Sequence, residues 1–175
     1  MSELKFVITG TAGVGKTTAI TAISDIPPVT TDASTTDELS DIKATTTVAF
    51  DFGEVIVDDD TRVRIYGTPG QDRFRHMWGI LAEGALGLII LVDSTRPDPV
   101  ADLDLYVENF KKLIDETGVV IGVTRLQHDI DSALEPYYRF IDEKGLCCPV
   151  MPVDPRSRQD MAEVMDVLMS LLEYA

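Results

Sequence analysis

The stretch GTAGVGKT, residues 10–17, places glycines, a lysine and a threonine at the spacing G-x-x-x-x-G-K-[ST]. Gly10, Gly13 and Gly15 let the backbone wrap an anion with its N–H groups, and Thr11, Ala12, Val14 and Thr18 complete a cradle that opens onto a helix N-terminus with its partial positive charge. Lys16 supplies the cation that reaches β- and γ-phosphates, and the Thr17 hydroxyl is a hard oxygen ligand for Mg²⁺. The apolar run KFVIT (5–9) precedes the motif and a helical pattern from Thr18 to Ile23 follows it, which is the strand–loop–helix context the motif requires.

A second constellation lies in YGTPGQDRF, at the end of a predicted strand. Gly70 can offer its backbone N–H to a γ-phosphate, and Gln71 can orient an attacking water; with Lys16 they form the candidate catalytic set. Thr47, in TTTVAFDF (45–52), supplies a further hydroxyl for metal and γ-phosphate. Asp51 is an even number of residues from Thr47, so both face one side of a regular strand. It reads either as an acid that reaches a metal-bound water, making Thr17, Thr47 and Asp51 the metal set, or as a solvated strand residue.

These residues need a sheet to hold them. β-Rich runs at 5–9, 47–57, 61–67, 86–93, 119–124 and 148–153 alternate with helical patterns, the signature of a sheet covered by helices on both faces. The turn at Asp58–Asp60 is short enough for a hairpin, so the second and third runs are expected to be antiparallel and the others parallel. Asp98-Pro99 opens a helix with Leu103, Tyr106, Phe110, Leu113 and Ile114 on one face, and Ser132 with Glu135 reads as a capping box. A last helix from about Ser157 buries Met161, Val164, Met165, Leu168 and Leu172. Residues 25–46 have no clear period and read either as a disordered insertion or as a segment that orders on a ligand.

One domain accommodates 175 residues of which 45% are hydrophobic. A formal charge of -15 repels a nucleic-acid backbone or an anionic membrane surface, so no nucleic-acid partner is expected. No apolar run reaches the roughly 18 residues of a membrane span, and the N-terminal residues enter a strand without a signal-peptide pattern. Adjacent Cys147 and Cys148 are poorly placed to staple separate segments, which points to a reducing compartment and a cytoplasmic location. His76 and His128 have no ligand cluster around them in the sequence and read as surface residues.

In the order cradle, Thr47, Gly70-Gln71, nearly the whole chain resembles the small Ras-like GTPases. TPGQDRFRHMW and VDPRSR look most like the prokaryotic MglA-type and Srp102-like branch, which acts in polarity, motility or signalling. The resemblance implies an α/β P-loop fold in three layers. Its six-stranded mixed sheet has order 2-3-1-4-5-6, one antiparallel edge strand and helices on both faces. It also implies switch I in 25–47, switch II in 67–80, Mg²⁺, hydrolysis of GTP to GDP, an effector that reads the two switches, and a Roadblock/LC7-type protein as the partner.

Against that pattern, Gly67 replaces the Asp of D-x-x-G, and TRLQ (124–127) stands where N-K-x-D reads the base. Thr124, Arg125 and Gln127 thus become the candidate base contacts, Arg125 by stacking and Gln127 as an uncharged acceptor weaker than a carboxylate. Asp154, with Pro155 and Arg156, lies in the other base-contacting loop of such proteins; Asp154 reads either as a displaced guanine reader or as a helix cap. Among residues 25–47 the only basic one is Lys43, so hydrolysis is expected to be slow without an arginine from an activating partner. Arg73, Phe74, Arg75, Met77 and Trp78 suit a partner surface, while Phe74, Trp78 and Leu81 equally suit packing on the sheet. The alternatives to a GTPase are a nucleotide-binding adaptor with negligible hydrolysis and an ATP-using P-loop enzyme.

Overall fold

The computed structural model describes residues 2–30, 50–127 and 129–173. Thr47, most of the expected switch I and His128 lie outside them.

The elements run β1 (Ser2–Gly10), α1 (Lys16–Ile23), β2 (Val29–Thr30), β3 (Asp51–Ile56), β4 (Thr61–Gly67), α2 (His76–Ala82) and β5 (Gly87–Asp93). They continue as α3 (Pro99–Asn109), α4 (Lys111–Glu116), β6 (Gly118–Thr124), α5 (Ile130–Lys144), β7 (Val150–Pro152) and α6 (Arg158–Glu173). The strands form one sheet in the order β2-β3-β4-β1-β5-β6-β7. The two-residue β2 extends the edge antiparallel to β3; the other six strands follow the expected order, with β3 and β4 antiparallel and the rest parallel. The sheet therefore carries two antiparallel pairs where one was expected.

Period-two alternation divides the core between the faces. Val7, Leu88, Ile90 and Val92 pack with Trp78, Leu103, Tyr106, Phe110, Leu134 and Tyr137 from α2 to α5. Phe6, Ile8, Ile89 and Leu91 face the other way, onto Ala19, Ile20 and Ile23 of α1 and Met161, Val164, Met165 and Leu168 of α6. The expected Met/Leu stripe is thus core.

Asp98 accepts from the Ala101 amide at 3.0 Å and opens α3 as expected, but the helix breaks at Phe110, where α4 begins. The capping box expected at Ser132 is displaced. Asp129 caps α5, accepting from the Ser132 amide and hydroxyl, and Glu135 instead pairs with Arg139 one turn on. The helix therefore starts three residues earlier than expected, on Asp129 as its cap.

Candidate functional site

Three of the loop's glycines have positive φ, with Gly13 at 78° and Gly15 at 116°. The turn at Gly15 delivers the chain into α1 with no side chain capping its first amides, so those N–H groups are left for a ligand. At Gly10, a Cβ would lie 2.4 Å from the Leu91 carbonyl, so the loop can spring from β1 only through glycine.

Lys16 is buried, and its Nζ donates to the Gly10 and Thr11 carbonyls at 2.6 and 2.9 Å. Burial pushes its ammonium down to about 8, and the Asp51 carboxylate opposes that shift. Gly70 closes over this point. A Cβ there would stand 2.8 Å from Lys16 Nζ and 2.7 Å from Ala12 Cα, so the strand-end loop and the cradle meet at a spot only glycine fits. Gln71 follows, exposed, ahead of a single 3-10 turn at Asp72–Phe74.

On the metal side, the Thr17 hydroxyl donates to the Asp51 carboxylate. Asp51 pairs directly with Gly67 across β3 and β4, and a Cβ on Gly67 would come within 3.2 Å of the Asp51 Cβ. A hydroxyl and a carboxylate are the hard oxygen donors that suit Mg²⁺. These two of the three expected metal residues are brought together; Thr47 lies outside the described residues.

Beside the cradle lies a cleft of about 750 Å³, lined by Val14, Gly15 and Thr18 on one side and by Thr124, Arg125, Leu126 and Asp154 to Arg156 on the other. The 154–156 loop abuts the cradle: a Cβ on Gly15 would meet Pro155 Cγ at 2.9 Å. Gln127 is exposed and is not among the residues lining this cleft. Thr124 is buried and donates to the Val92 carbonyl. Arg125 has a positive φ of 58° and bridges the site: one guanidinium nitrogen donates to Asp93, another to the Gly13 carbonyl at 2.9 Å.

Asp93, which sequence reasoning missed, is the anchor of that bridge. It also accepts from the Thr95 amide and hydroxyl at 3.0 and 2.6 Å. Burial works to raise its carboxyl, but the Thr95 and Arg125 contacts outweigh it and hold the group low. The Asp-x-Thr spacing at the end of a predicted strand was the available signal, since such a pair makes a local side-chain turn.

The two readings of Asp154 resolve differently from either alone. Ser157 and Asp160 cap α6 reciprocally, so Asp154 is not the cap. Its carboxylate accepts from the Arg156 amide and guanidinium at 2.9 to 3.0 Å, contacts that hold it at about 2.

Trp78 and Leu81 are buried and belong to the core. Trp78 stacks on Tyr106 and Phe110 with centroids 4.9 and 5.7 Å away and donates to the Pro69 carbonyl. Phe74 is half-buried beneath Arg73. His76 is exposed, and among the described residues no cluster of His, Cys, Asp or Glu suits a metal ion. No helix among those residues is long and apolar enough to cross a membrane.

Residues 28–114 match a family described as a conserved hypothetical ATP binding protein, a span that begins beyond the cradle. The chain is 28% identical to the Ras-related protein Rab-7b of Mus musculus over 181 residues, covering 98% of this chain and 84% of that one. An uncharacterized protein of Methanocaldococcus jannaschii is 27% identical over 81% of the chain and 82% of its own length. The Ras-related protein RABA1b of Arabidopsis thaliana is 24% identical over 82% of the chain and 63% of its own length. Homologues therefore include Ras-related proteins, and the sheet order with its helical layers is that of a Ras-like P-loop α/β fold.

Proposed function

We propose that this chain is a regulatory switch that binds GTP with Mg²⁺, hydrolyses it to GDP and thereby changes which partner it binds. The observation that carries the reading is the convergence of Gly70 on Lys16 Nζ. The loop after β4 meets the cradle where a terminal phosphate would stand, so loss of that phosphate changes what the loop can touch. Lys16 would release the Gly10 and Thr11 carbonyls to meet phosphates, Thr17 and Asp51 would hold the metal and its water, and Gln71 would orient the attacking water. Turnover is slow until an activating partner adds an arginine; a Roadblock/LC7-type partner, which the resemblance implies, and a cytoplasmic role in polarity, motility or signalling belong to the same proposal.

The test is to release nucleotide from the purified protein with acid, identify it by ion-pair chromatography, and then follow single-turnover hydrolysis. A bound guanine nucleotide hydrolysed by the parent but not bound by Lys16→Ala is expected. A parent that neither retains nor binds a nucleoside triphosphate sinks the proposal.

A second reading, an ATP-using protein, is favoured by the description of the matching family. A nucleotide-binding adaptor with negligible hydrolysis is favoured by the exposed position of Gln71. Retained ATP would select the first, and retained GTP without turnover the second.

A further inference from the structure

Base selection is where the cleft departs furthest from the expected residues, and the inference drawn here rests on the proposed nucleotide-binding reading. A base held beyond the cradle would lie between Val14 and Thr18 on one side and the 154–156 loop on the other. Gln127 does not line that space. Thr124 spends its hydroxyl proton on Val92, and the Arg125 guanidinium is tied to Asp93 and Gly13.

The acidic residues that line the cleft are Asp154, Asp160 and Glu163. Asp160 is committed to the α6 cap, accepting from Ser157 and from the Asp154 amide, and Glu163 pairs with Gln159 on the helix surface. Asp154 differs in its partner. Arg156 occupies both its oxygens, yet the Arg156 side chain is 82% exposed and held by nothing else among the described residues. A guanidinium presents two parallel N–H donors to a carboxylate, and the N1–H and 2-amino groups of guanine present a similar pair. Adenine offers a ring lone pair beside its amino group, which a carboxylate repels. Pro155, packed on Gly15, sets Asp154 against the cradle by short-range contact.

We infer that Asp154 is the base-selecting acceptor of this site, in place of Gln127, and that Arg156 occupies its carboxylate until guanine takes over the same donor positions. The nucleotide class selected is therefore guanine.

The experiment measures GDP, XDP and ADP affinities of the full chain by competition, for the parent, Asp154→Asn and Gln127→Ala. The Asn amide offers a donor where the carboxylate accepted, so it should disfavour guanine and favour the 2-carbonyl of xanthine. GDP affinity of Asp154→Asn should fall about tenfold to a hundredfold, the span expected for a hydrogen bond to a charged group, while XDP affinity rises. Gln127→Ala should leave the GDP to ADP ratio unchanged. The gain for XDP cannot arise from misfolding. An unchanged GDP to XDP ratio in Asp154→Asn, a lost guanine preference in Gln127→Ala, or tighter ADP than GDP in the parent overturns the assignment alone. A parent that binds none of the three overturns the nucleotide reading as well.

Discussion

The Asp51 carboxylate accepts a hydrogen bond from the Thr17 hydroxyl and stands directly across from the bare Cα of Gly67. Directly paired residues on antiparallel strands place their side chains on the same side of the sheet, so an acid on β3 projects into the space that a side chain at position 67 on β4 would fill. Where the resemblance expects an acid at position 67, the chain carries one at the cross-strand partner. Asp51→Asn is expected to weaken Mg²⁺-dependent triphosphate affinity by about tenfold to a hundredfold, as removal of a metal site's supporting carboxylate does, and Asp58→Asn in the hairpin to leave it unchanged. A magnesium titration that gives both variants the parent's value would make Asp51 an ordinary strand residue.

The same space makes Gly67 sensitive to size. A Cβ there would lie 3.0 Å from Ile20 Cδ1 and 3.2 Å from the Asp51 Cβ, and Ile20 is fully buried. Gly67→Ala is expected to cost ~1–3 kcal/mol through overpacking and to displace Asp51 from Thr17. Urea unfolding reads the first effect and the magnesium titration the second; a parental midpoint would show that Ile20 yields without strain.

Gln71 is exposed, one residue beyond the Gly70 that meets the cradle. Gln71→Leu should leave nucleotide affinity near the parent's and slow single-turnover hydrolysis by on the order of 10²-fold, the scale of losing one preorganised hydrogen-bonding side chain at the reacting centre. Equal rates would assign water positioning to another residue.

The Arg156 contacts lower the Asp154 carboxyl from 3.8 to about 2. A depressed carboxyl contributes stability that is present above its unfolded value of 3.8 and is lost as pH falls through about 2. Arg156→Ala should return Asp154 towards its unfolded value, so that the group protonates at higher pH. Carboxyl-carbon NMR titration of both proteins reads this directly, and an unmoved titration would show that the two side chains do not pair in solution.

Trp78 is held by two stacked rings and the Pro69 carbonyl. Its truncation to alanine is expected to destabilise the fold by ~3–5 kcal/mol, a core effect. A loss of partner binding with unchanged unfolding midpoint would return Trp78 to the surface role.

Much of this site was legible from local pattern. The cradle from Gly10 to Thr17 is contiguous in sequence, and its chemistry follows from backbone freedom at glycine and from the residues a phosphate and a metal require. The antiparallel pairing of the strand that carries Asp51 with the strand that ends in Gly67 followed from the brevity of the turn at Asp58–Asp60; the register that sets Asp51 opposite Gly67 came from the tertiary structure. The sheet order came from the resemblance, and the sheet obeys it apart from the added edge pair β2 and β3. Tertiary packing decided the rest. Arg125 reaches Asp93 and Gly13 across 32 and 112 residues of chain, and no periodicity encodes which of several carboxylates a long side chain will find. Trp78 carries the same apolar character whether it faces a partner or Tyr106, and only the position of α3 chose between them. Gln127 and Asp154 both carry groups that can face a base, but just one lines the cleft, because Pro155 packs against Gly15 and brings its neighbour with it. Residue type states what a group can do; the contacts that close over it determine whether it is placed to do so.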